Sequence, residues 1–200
     1  TSIKYVVIAM SMMVAVSTSQ ADVVKKQIGD LEIYALPTPG NPNIMMMLDI
    51  SGSMDRTYNS ISGCYNPAET KTNTYTYTDP SSSANTFSVT ANLWQCEANE
   101  AGTIILYDRI GTLKNALLKM LTDNKVNNDI GLGIGVFSYN GDGKTGIIRY
   151  PIQKLTMANR QAMANYVAGL TATGGTPTPS AFAEAGAYML GTNTSGTGSG

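Results

Sequence analysis

Apolar and polar residues follow several rhythms along the chain, and each change of rhythm marks a predicted element. Ile44-Met45-Met46-Met47-Leu48 is a continuous apolar run bounded by Asn43 and Asp49. It is too short for a helix and does not alternate, which predicts a strand buried on both faces of a parallel sheet. Ile110, Leu113, Leu117, Met120 and Leu121 recur at three- and four-residue steps. That spacing predicts a helix with one apolar face, beginning just after Asp108, with Lys114 and Lys119 turned toward water. Residues 130–137 alternate glycine with bulky apolar side chains, a strand pattern whose glycine face lets a helix pack closely. Asn140-Gly141-Asp142-Gly143-Lys144 then turns the chain into residues 146–150, predicting a hairpin. Thr156 is placed to cap a second helix carrying Met157, Met163, Tyr166 and Val167, with Gly169 near its end. Thr178 is placed to cap a third, with Pro179 at its first position and Phe182, Ala185, Tyr188 and Met189 along it up to Gly191.

The intervening segments are of other kinds. Residues 22–43 lead into the domain with one alternating strand candidate, 31–36, before Pro37, Pro39, Gly40 and Pro42 break regular structure. Residues 55–103 show no helical period and are rich in Thr, Ser, Tyr and Asn. Tyr75 and Tyr77 alternate with Thr74, Thr76 and Thr78 there, as in a short hairpin strand. Tyr and Trp94 among Ser, Thr and Asn compose either an adaptable binding surface or a decoration that binds nothing. Residues 191–200 are Gly, Ser and Thr with one Asn, a flexible tail or a loop of a longer chain. At the other end, Lys4, an apolar stretch over 6–16 and Ser19-Gln20-Ala21 read as a secretory signal covering 1–21, with a buried N-terminal helix or a membrane anchor as the alternative.

Composition narrows the chemistry. Thirteen basic residues face fourteen acidic ones and charged residues are only 14%, which argues against an electrostatic nucleic-acid binder. No histidine is present, so Ser-His-Asp catalysis, histidine zinc sites and histidine general bases are excluded from these 200 residues. The two cysteines, Cys64 and Cys96, are expected to pair in an exported chain, contributing about 3–4 kcal/mol in the chain-entropy model; two buried free thiols are the alternative.

The candidate chemistry lies directly after the first apolar run. Asp49, Ser51 and Ser53 alternate, which turns one carboxylate and two hydroxyls to a common side, and Gly52 permits a tight backbone. In open α/β sheets such residues sit at the carboxyl ends of strands, where ligands bind. An all-oxygen set of this kind suits a hard divalent cation, Mg2+, Ca2+ or Mn2+. The plainer alternative is that Asp49 and Ser51 cap a turn or helix.

Asp49-x-Ser51-x-Ser53 after a hydrophobic strand resembles the metal-ion-dependent adhesion site of von Willebrand factor A domains. Gly174-Gly175-Thr176-Pro177-Thr178-Pro179 resembles the loop that supplies a threonine to that site, which implies Thr176 as a further ligand. The family also uses an aspartate from a third loop, which these residues lack. The resemblance therefore implies a Rossmann-like α/β domain over residues 44–200, without its C-terminal strands and interrupted by an insertion at about 55–103 holding the disulfide. Together with the export signal, the cysteine-containing insertion and the run 174–185, the chain is similar to the N-terminal region of the PilC/PilY proteins of bacterial type IV pili. That similarity implies a non-enzymatic adhesion and pilus-biogenesis module, exported through the periplasm to the pilus tip. Its implied partners are the minor pilins and a protein ligand on a host surface or matrix, held through an acidic group on the cation. Two alternatives remain: a structural pilus component with a vestigial metal site, or a Mg2+-dependent phosphohydrolase with Asp49 as nucleophile. The second lacks the acid two residues on that haloacid-dehalogenase-like enzymes carry, since Ser51 stands there.

Overall fold

The computed structural model describes residues 40–55, 69–137 and 146–192. The expected signal (1–21), the strand at 31–36, Cys64, the turn at 140–144 and the tail from 193 onward lie outside the described residues. The chain is mixed α/β, with two small sheets and three helices among the described residues.

The first sheet is built from β1 (Asn43–Asp49), β5 (Gly131–Phe137) and β6 (Gly146–Lys154) in the order β1-β5-β6. β1 and β5 run parallel, with Met46 opposite Ile134 and Asp49 opposite Phe137. β5 and β6 are antiparallel. The second sheet is a long hairpin, β2 (Glu69–Asp79) and β3 (Ser82–Glu97), joined by the short β4 (Ile105–Tyr107). The helices are α1 (Arg109–Thr122), α2 (Met157–Ala168) and α3 (Thr178–Met189).

The hairpin obeys the period of two that its sequence displays. Tyr75, Tyr77, Phe87, Val89, Ala91 and Leu93 are buried, while the residues between them are largely exposed. Tyr77 and Phe87 are register partners and stack with centroids 5.5 Å apart. On the outer face Thr72 bonds Asn92 and Thr76 bonds Ser88, each at 2.8 Å. The hairpin is therefore longer than the short strand expected, and Tyr75 and Tyr77 are core residues rather than part of a binding surface. Their hydroxyls reach inward, Tyr75 to Asn115 on α1 at 2.9 Å and Tyr77 to Asn128 at 3.3 Å. One core joins this face to Leu117, Leu118 and Leu121 of α1, Met163 and Val167 of α2, and Leu132, Ile134 and Val136 of β5.

Several expectations change on contact with the packing. Lys114 is not solvent-facing but 7% exposed. β1 is only half-buried along Met45–Met47, with Ile44 39% exposed, rather than covered on both faces. The β5 glycines do not chiefly admit a helix: a Cβ on Gly133 would meet Met45 Cε at 2.5 Å and Ile152 Cγ1 at 3.0 Å. Their empty face is filled by side chains of the two flanking strands. Gly146 does receive a helix, since a Cβ there would lie 2.6 Å from the Cα of Ala181 in α3. Thr156 caps α2 as expected, accepting from the N–H of Asn159. Thr178 does not cap α3; it is the first helical residue, with Pro177 at the cap position. On α3, Phe182 is 80% exposed and Met189 53%.

Candidate functional site

β1 delivers Asp49 at its last residue, and the chain then tightens into a single 3-10 turn, Gly52–Met54. Asp49 Oδ1 accepts the N–H of Ser51 at 2.8 Å, which folds the loop back over the strand end. Met54 N–H donates to Ser51 O at 2.9 Å and Asp55 N–H to Gly52 O at 3.1 Å. This geometry brings Ser51 Oγ and Ser53 Oγ to 3.1 Å, with Ser51 fully buried and Ser53 exposed.

The second loop is held against the first by two backbone hydrogen bonds. Gly52 N–H donates to Gly174 O at 2.8 Å, and Thr173 N–H donates to Ile50 O at 2.7 Å. Gly174 has φ +76°, a left-handed conformation that any side chain would strain. Thr176 follows two residues later, exposed, with its carbonyl accepting the N–H of Thr178 at 2.8 Å. Asp49, Ser51 and Ser53 thus share one turn, and the loop carrying Thr176 is pinned to that turn. The turn-capping role weighed for Asp49 is also real, since one of its carboxylate oxygens holds Ser51.

The chemistry of this donor set fits a small hard cation. Adjacent ligands of an octahedral Mg2+ with bonds of about 2.0–2.1 Å lie about 2.9–3.0 Å apart, close to the Ser51–Ser53 separation. Asp49 Oδ2 is the remaining charged oxygen. Among the described residues no three His, Cys, Asp or Glu side chains cluster, so a cation at this place relies on hydroxyls.

Arg109, the first residue of α1, was not singled out by sequence reasoning, yet its Nη1 donates to Ser53 O at 3.3 Å. It places a guanidinium beside the acidic turn. Cys96 is buried in β3 and is not a free thiol, while its expected partner Cys64 lies outside the described residues. No family model, curated protein or solved structure matches this chain.

Proposed function

We propose that the chain is a metal-dependent adhesion module of the von Willebrand factor A type, built on a Rossmann-like sheet. The observation that carries the reading is the junction of two loops distant in sequence. Residues 49–54 and 173–176 are joined by paired backbone hydrogen bonds at the carboxyl end of β1, where a ligand crevice belongs. The parallel pairing of β1 with β5 and the antiparallel β6 agree with an α/β sheet of this kind.

In this reading Asp49 supplies the negative charge, and Ser51, Ser53 and Thr176 supply neutral oxygens, directly or through water. These residues would hold a divalent cation (Mg2+, Ca2+ or Mn2+) with little compensating negative charge, which would supply an electrophilic position for an acidic side chain of a partner. The role is binding rather than catalysis. As an exported pilus-tip component, the module would engage minor pilins on one side and a host-surface or matrix protein on the other. The Cys64–Cys96 disulfide would staple the hairpin insertion.

Calorimetric titration of Mg2+, Ca2+ and Mn2+ into the chain and into Asp49→Ala tests this. Saturable binding at millimolar or lower concentration, lost in the variant, is expected. Equal binding by both proteins removes the mechanism and favours a structural pilus component with a vestigial site.

A further inference from the structure

A cleft of about 730 Å3 opens between one edge of β3, the first turns of α1 and the segment that ends α2 and follows it. Strand register identifies the groups facing it. In an antiparallel strand the N–H and C=O of one residue point to one side, and those of the next residue to the other. Trp94 O accepts the N–H of Asp108 at 3.3 Å, and Ala98 N–H donates to Ile104 O at 2.7 Å. Even-numbered residues of β3 therefore direct their backbone groups toward the β4 side. β4 covers only Gln95–Glu97 on that edge. Ser88, Thr90 and Asn92 line the cleft, and no strand among the described residues pairs their outward N–H and C=O groups.

Lys114 forms the inner wall. Its ammonium donates to Asn92 O at 3.3 Å and Leu170 O at 3.2 Å. Of its three N–H groups, one has no acceptor among the described residues. Burial pushes the Lys114 ammonium below its ordinary pKa, and the Asp108 carboxylate pushes it back up. Gly111 is required here, because a Cβ would lie 2.6 Å from the Asp108 Oδ1 that caps α1. Asp55 also lines the cleft, and Trp94, the only tryptophan of the chain, is its aromatic surface among the described residues.

We propose that this cleft binds a neutral oligosaccharide, with Trp94 as the apolar platform for a sugar ring and the β3 edge with Lys114 as its polar wall. A sugar ring has a C–H face that matches an indole and a rim of hydroxyls that both donate and accept. The wall is built for such a rim: strand N–H and C=O groups offer donors and acceptors side by side, Lys114 adds a donor, and the carboxylates add acceptors. One cation against two carboxylates makes the lining near neutral to slightly acidic, which disfavours sialylated or uronic sugars. The volume falls within the range of small-molecule sites, about 300–1,000 Å3. An extended peptide fits less well, because Lys114 already occupies the Asn92 carbonyl and interrupts the run of edge groups that an added strand needs. Neither Trp94 nor the β3 edge belongs to the candidate cation site.

The experiment titrates three probes into the whole chain, read by Trp94 fluorescence and calorimetry: lacto-N-tetraose for animal surface glycans, and chitotetraose and maltotetraose for microbial polysaccharides. Saturable binding of at least one is expected, and the set that binds identifies the source. Thr90→Pro removes an N–H that faces the cleft while leaving the β2 ladder intact, and it is expected to weaken binding about tenfold. Trp94→Ala, read by calorimetry, abolishes binding, and Asp49→Ala leaves it unchanged, which separates this site from the cation site. Absence of binding to all three sugars at millimolar concentration overturns the proposal. So does binding that survives both Thr90→Pro and Trp94→Ala, or binding of a threonine-rich extended peptide in place of sugars.

Discussion

Replacing Arg160 with methionine tests how the hairpin is attached to the rest of the domain. Arg160 is fully buried on α2, and its guanidinium donates in four directions. Nε reaches Leu155 O and Asn128 Oδ1, each at 3.1 Å, and Nη1 reaches Leu121 O at 3.1 Å. Nη2 reaches Asn128 Oδ1 at 3.0 Å and also Val126 O. The guanidinium Cζ lies 4.9 Å from the centroid of the Tyr77 ring, on β2. Leu121 O is one of the carbonyls that the end of α1 leaves without a helical partner, so Arg160 caps that helix from a distance. Burial pushes the Arg160 pKa down, with Tyr77 and Asp123 acting the other way; an arginine stays charged regardless.

Methionine keeps most of the stem and removes every donor. Leu121 O and Leu155 O then lack these buried hydrogen bonds, at about 1–3 kcal/mol each, and the contact with Tyr77 contributes about 1–2 kcal/mol more. Half-exposed Val126 and Asn128 recover water, and a buried charge no longer has to be desolvated, which offsets part of the loss. The expected net destabilisation is about 3–5 kcal/mol, a large share of the roughly 5–15 kcal/mol available to a domain. Arg160→Lys retains charge without the planar fork and should recover less than half. Urea unfolding followed by circular dichroism and by Trp94 fluorescence measures both variants. Hydrogen exchange at Tyr77 should quicken in parallel. A loss below about 1 kcal/mol with an unchanged denaturant slope would falsify the view that Arg160 joins the hairpin to the helices.

Two further outcomes concern stability. Gly133→Ala drives a methyl into Met45 and Ile152 and should cost about 1–3 kcal/mol; Met45→Ala in the same chain should restore part of it, a coupling that a double-mutant cycle measures. Reduction of the native chain should lower the unfolding midpoint by an amount equal to about 3–4 kcal/mol. Mass spectrometry of an unreduced digest should recover Cys64 and Cys96 in one linked peptide, and two unlinked peptides would remove the staple.

The strength of each sequence signal explains what was legible. The alternation of Tyr75 and Tyr77 and the apolar stripe of α1 report faces directly, because each side chain's side is set by the local backbone; the same period over Phe87–Leu93 of β3 went unread within the Ser- and Thr-rich segment. The Asp49-x-Ser51-x-Ser53 turn was legible for the same reason: all three residues are local. Lys114 and Arg160 were not, since a cation on a helix is ordinarily read as a solvated face. Only after folding do Asn92 O, Leu170 O, Leu121 O and Leu155 O arrive from other parts of the chain to accept their hydrogen bonds.

By itself the sequence determined the α/β class, the positions of β1, β5, the start of β6 and the three helices, the absence of histidine chemistry and an oxygen-rich turn after β1, but not the strands β3 and β4. These follow from periodicities and residue types that act over a few positions. Tertiary structure alone decided that residues 173–176 meet residues 50–52, that methionines rather than a helix fill the β5 glycine face, and that one edge of β3 is left facing a cleft. Each depends on which groups distant in sequence come into hydrogen-bond or van der Waals contact, and a one-dimensional pattern carries no record of those contacts.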